Sequence, residues 1–178
     1  MRSSPGGQRQ PTLLSSCARA SSAAEARFRI NAPAFTRRSS VVIALDDDAA
    51  AVVRDIAAGP WGGGHFLVFE SAVAGDALLR RVPGTAGDGP AGAVTALLSE
   101  ELDGADTVVM VAAAEGSAAA ASIIGDAAAA RAIMSAGLVI GGDASSGPVV
   151  AALRPNAMVL VVLRDATDIR ELLSALRV

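Results

Sequence analysis

From residue 41 onward, short apolar runs alternate with stretches in which apolar residues recur every three or four positions. The runs cover residues 41–45, 66–69, 108–113, 138–140 and 158–163. None alternates strictly between apolar and polar, which is how strands covered on both faces read. Residues 46–58 predict a helix, opened by acids suited to its positive end and closed by Gly59-Pro60. A helix over 91–102 places Val94, Leu97, Leu98 and Leu102 on one face, and one over 117–136 does the same for Ile123, Ile124, Ile133 and Met134. A short helix over 148–153 carries Pro at its first turn, and a last helix starts at Asp165 with Ile169, Leu172, Leu173 and Leu176 inward. The series predicts an α/β domain with a doubly wound, Rossmann-like, mostly parallel five-stranded sheet over residues 41–178.

Charge divides the chain. Residues 1–40 hold seven Arg against one acid, Glu25, whereas residues 41–178 hold eight Arg against 17 acids, a net of −9. A basic, irregular N-terminal arm therefore precedes an acidic domain that is not suited to binding nucleic acid. The arm's Arg, Ser and Ala content fits either a partner-docking segment or an organellar transit peptide. The first implies a cytoplasmic protein and the second an organelle matrix or stroma. Apolar stretches are broken by Glu115, Asp126 and Arg131, so no membrane span is expected. All 15 basic residues are Arg, which excludes lysine-based catalysis, and the single Cys17 excludes an internal disulfide. His65 is the one histidine. It opens a strand and reads as a satisfied structural residue rather than a general base.

A ligand crevice in an open parallel sheet lies outside the carboxyl ends of the strands. Those ends read Asp46-Asp47-Asp48, Glu70-Ser71, Glu115-Gly116-Ser117, residues 141–147 (GGDASSG) and Arg164-Asp165. The acids suit either helix capping or a divalent cation, for which Asp46, Glu115 and Asp143 are the candidate ligands. Gly116, Ser117, Gly141, Gly142, Ser145 and Ser146 are the candidate anion-binding amides and hydroxyls. Gly62-Gly63-Gly64 reads as a turn ahead of the second strand, and residues 84–92 (GTAGDGPAG) as a surface loop.

Three segments together resemble the nucleotide-binding half of the tubulin/FtsZ family. GADTVVMVAAAEGSAAAASI resembles the family strand that leads into its glycine-rich signature and helix. GTAGDGPAGAVTALLSEEL is similar to the glycine-bearing loop and helix before it, and NAMVLVVLRDATDIRELL to the strand ending in I-P-N-D-R-L-L. The resemblance implies a GTP site, yet residues 115–121 keep only Gly116 of the signature's glycines and have Ala118 and Ala120 in place of its threonines. Asp46-Asp47-Asp48 occupies the family's first glycine-rich loop, so GTP hydrolysis and filament formation do not carry over. VVIALDDDAAAVVRDI also resembles the first strand, acidic pair and helix of response-regulator receivers. The phosphoacceptor position there holds Ala112-Ala113-Ala114, and no lysine is present.

Two functions follow as expectations. The first is a non-catalytic structural or interaction subunit whose basic arm docks on a protein partner, in an assembly that accommodates oligomers. No cofactor is favoured on that reading. The alternative is a small nucleotide- or metabolite-binding protein, Mg-dependent and GTPase-like in a degenerate form, using the residues named above.

Overall fold

A computed structural model describes residues 39–83, 95–141, 147–176 and 178. The N-terminal arm, the loop over 84–92, and Gly142, Asp143, Ser145 and Ser146 lie outside the described residues.

Among the described residues, seven strands form one mixed sheet: β1 (Ser40–Ala44), β2 (Gly64–Val73), β3 (Asp76–Arg81), β4 (Thr95–Leu97), β5 (Thr107–Ala113), β6 (Met134–Ile140) and β7 (Val159–Leu163). Their spatial order is β4-β3-β2-β1-β5-β6-β7. The five apolar runs are the parallel strands β1, β2, β5, β6 and β7. The expectation of five strands in all is corrected by two antiparallel strands, β3 and β4, added beyond β2. Ala74-Gly75 makes a two-residue hairpin, with Gly75 at φ +79°, which a side chain rarely adopts.

Successive residues of β1 and β5 point to opposite faces, and each face has its own core. Val41, Ile43, Val108 and Met110 pack against α2 (Leu98–Glu101), α3 (Ala118–Ala130) and α4 (Pro148–Leu153). Val42, Ala44, Val109 and Val111 pack against α1 (Asp47–Ala57) and α5 (Ile169–Ala175). Helices thus cover both faces, which explains why the central strands are apolar apart from Ser40 and Thr107 at their starts. Glycines let neighbouring segments approach closely, once at the turn after α4 and once between adjacent strands. A Cβ on Gly125 of α3 would lie 2.3 Å from the Cβ of Asn156, and one on Gly137 of β6 would lie 2.9 Å from Leu160 Cδ1.

Three expected helices are corrected. In place of a helix over 91–102, Thr95–Leu97 pairs with β3 and, among the described residues of that range, only Leu98–Glu101 is helical. Edge pairing overrides the helical spacing there, burying Leu98 and Leu102 and leaving Leu97 37% exposed. The helix from residue 117 stops at Ala130, the chain turns at Ala132 with φ +56°, and Met134 already belongs to β6. Asp165 holds a turn by accepting from the Thr167 N–H at 2.8 Å, and α5 begins only after Asp168.

At the C-terminal end of α1, Trp61 donates from its indole N–H to the Ile56 carbonyl at 2.7 Å. Its ring lies 5.5 Å from that of Phe66, tilted by 48°. Among the described residues, no helix is long and apolar enough to cross a membrane.

Candidate functional site

The winding changes direction at β1: β2 lies on one side of it, and β5, β6 and β7 follow on the other. The crevice position is therefore between the carboxyl ends of β1 and β5. A cup of about 130 Å³ lies there, lined by Asp46, Asp47, Asp48, Ala113, Glu115 and Gly116.

The Asp46 carboxylate is committed to the backbone. Its Oδ1 accepts from the Ala49 N–H at 2.8 Å, capping α1, and its Oδ2 accepts from the Ala113 N–H at 2.9 Å, tying α1 to the end of β5. Gly116 exists because of this carboxylate. A Cβ at residue 116 would lie 2.3 Å from Asp46 Oδ2, 2.9 Å from the Ala113 carbonyl oxygen and 3.2 Å from the Ala112 Cβ. Main chain without a side chain is needed here so that a carboxylate can approach it. Ser117 caps α3 by accepting from the Ala120 N–H at 3.2 Å. Among the described residues, no group of three His, Cys, Asp or Glu side chains is placed to hold a metal ion.

Of the candidate anion-binding residues, Gly116 and Ser117 stand together at the β5–α3 turn. Gly141 ends β6 in a left-handed conformation, φ +82°, donating to the Leu163 carbonyl at 2.9 Å. A Cβ on Gly147 would lie 3.0 Å from the Ala114 carbonyl oxygen, so Gly147 stands beside the same turn. Of the candidate metal ligands, Asp46 and Glu115 both line the cup. Glu70 is not at a strand end: β2 continues to Val73, with an irregularity between Phe69 and Ser71, and Glu70 pairs with Arg80 of β3.

A second polar cluster at the opposite end of the sheet had no sequence signal beyond His65. Glu101 of α2 is buried, its side chain 3% exposed. Its Oε2 lies 3.2 Å from Nδ1 of His65, and its Oε1 accepts from Nε and Nη2 of Arg81 at 2.8 and 2.5 Å. A carboxylate only accepts, so Nδ1 carries the proton. The bond to Glu101 raises the His65 pKa above its ordinary 6.5, with burial opposing. The same bond, reinforced by Arg81, holds Glu101 below its ordinary 4.5 against its burial. His65 thus has the structural partner expected of it, and that partner lies 36 residues away in sequence.

A shallow groove of about 520 Å³ runs between the β2–β3 hairpin and α3, lined by Val73, Asp76, Ser99, Ile123 and Arg131 among others. Asp76 is occupied there, accepting from the Ser99 hydroxyl at 2.6 Å and from the Ala77 and Ser99 N–H groups. Burial opposes these bonds, which nevertheless hold its pKa below the ordinary carboxylate value.

Comparison with protein-family models, with curated proteins and with solved structures finds no match to this chain.

Proposed function

We propose that the chain is a non-catalytic, Rossmann-like structural or interaction subunit, docking on a protein partner through its basic arm. The order β2-β1-β5-β6-β7 of its parallel strands, with helices on both faces, supports the Rossmann-like winding. The observation that carries the functional reading is the Asp46–Gly116 contact at the crevice. An aspartate fills the space that a phosphate-binding turn keeps open, and both of its oxygens are bonded to the main chain. A cup of about 130 Å³ is also small against the ~300–1,000 Å³ of ordinary ligand pockets. Asp47, Asp48 and Glu115 around it repel phosphate. The residues present do not fit a nucleotide held as in the tubulin/FtsZ family.

The second reading, a metabolite site with Mg²⁺, draws support from the return of the chain at Gly147 to the Gly116-Ser117 turn. Thermal unfolding with GTP, ATP, NAD or a flavin, each with and without Mg²⁺, separates the two. No ligand is expected to stabilise the protein. A gain of about 2.7 kcal/mol at a hundredfold excess over Kd would establish the metabolite reading instead. Co-purification of a stoichiometric partner, lost on deletion of residues 1–38, is the expected positive result.

A further inference from the structure

The outer side of β7 is poorly protected. β7 ends the sheet order and, among the described residues, pairs only with β6. From Met158 to Leu163 the chain has neither charge nor proline. Met158 is 76% exposed, Val159 45% and Val162 42%. Leu160 leans on the core of the α3 and α4 face, and Val161 and Leu163 on the other, so the exposed apolar groups are spread over both faces. Edge strands that stay unpaired are normally blunted by charge, proline, a bulge or brevity. The opposite edge, β4, has only three residues.

We propose that β7 is a self-association edge, through which two copies of the chain pair antiparallel across a two-fold axis and join their sheets. Direct opposition requires partners on the same face. With Leu160 opposite Leu160 of the second copy, Met158 meets Val162 and Val159 meets Val161, each on a common face. The most exposed residues thereby cover each other.

Charge favours the antiparallel over the parallel arrangement of two copies. The carboxyl ends of the parallel strands carry Asp46, Asp47, Asp48, Glu115 and Asp165, and antiparallel pairing sends the two acidic rims to opposite ends of the joint sheet. Parallel pairing would set them side by side. Arg154 precedes β7, whereas Arg164, Asp165 and Asp168 follow it with a net of −1, so antiparallel pairing also brings unlike ends together. The contact is a single strand of five residues, at the low end of interface sizes, so a weak, concentration-dependent dimer is expected. This association is independent of the arm and of the crevice.

Light scattering on the full chain from about 1 to 200 µM is expected to show the mass rising from one chain to two. Met158→Lys and Val162→Lys should each weaken the dimer tenfold or more, while Leu97→Lys on β4 leaves it unchanged. Thermal melts identify any variant that has unfolded, and Met158, as the most exposed, is the safer substitution. A single-chain mass at every concentration, or a dimer that survives Met158→Lys in a folded protein, overturns the proposal.

Discussion

Gly116→Ala tests whether the β5–α3 turn is built to receive a carboxylate. Gly116 does not sit in the left-handed region, so the backbone itself would accept alanine. The obstacle is the Asp46 oxygen 2.3 Å from where the new Cβ would be, with the Ala113 carbonyl at 2.9 Å behind it. Either the turn shifts or Asp46 leaves its two donors. Losing the α1 cap costs about 1 kcal/mol. Stranding the Ala113 N–H costs about another 1–3 kcal/mol. Shifting the turn instead carries an overpacking cost of about 1–3 kcal/mol. The smaller unfolded-state entropy of alanine returns about 0.4–1 kcal/mol. The cheaper route sets the cost, so a net destabilisation of about 0.5–2.5 kcal/mol is expected, read by urea unfolding followed by circular dichroism. Because the clash is with Asp46, it should shrink once Asp46 is truncated. In an Asp46→Ala background, Gly116→Ala should cost at least about 1 kcal/mol less than in the wild type. Equal costs in the two backgrounds, or a wild-type cost below about 0.5 kcal/mol, would refute the contact as the reason for glycine.

Further outcomes follow from the other clusters. His65, the single imidazole, gives one titrating NMR signal, expected above 6.5 in the wild type and lower in Glu101→Gln. Its contribution to stability is fully present below pH 6.5 and is lost as pH rises through the raised folded value. The contribution of Glu101 is present above 4.5 and is lost as pH falls through its depressed value, so the cluster holds best between the two. A flat stability profile that Glu101→Gln leaves unchanged would refute the coupling. Thr107→Val should stabilise the fold by up to about 1–2 kcal/mol in urea titration, because the buried hydroxyl of Thr107 has no hydrogen-bond partner among the described residues. Gly125→Ala should destabilise by about 1–3 kcal/mol through its clash with Asn156, and neutrality would show that the turn after α4 yields freely.

The parallel half of the sheet was legible because strands buried on both faces need apolar residues at every position, a pattern that does not depend on which neighbour covers them. The helix α1 was equally legible, since Asp46 and Gly59-Pro60 mark its ends by local chemistry. What stayed hidden depends on residues distant in the chain. β4 has three residues and owes its conformation to β3, while the spacing of Leu97, Leu98 and Leu102 suits a helix just as well. The end of α3 was hidden because alanine carries no stop signal, and the turn falls on Ala132, a residue with no particular preference for a positive φ. In the crevice, reading the carboxyl ends of the strands singled out Asp46, Glu115 and Gly116, which line one cup. That Asp46 is the reason for the glycine, however, is a contact across 70 residues that no local rule encodes. Glu101 was missed for the same reason: nothing in LSEEL distinguishes the glutamate that is buried from the one beside it.

With no tyrosine and a single tryptophan, the protein carries one intrinsic fluorophore. The indole of Trp61 is tethered to the last turn of α1 and set against a ring of β2. Its emission therefore reports on one corner, the junction of the first helix and the second strand, and is blind to events at β7 or the hairpin. Fraying of that corner ahead of global melting would appear as a fluorescence transition running before the loss of ellipticity, which makes this residue a built-in test of whether the two halves of the sheet unfold together.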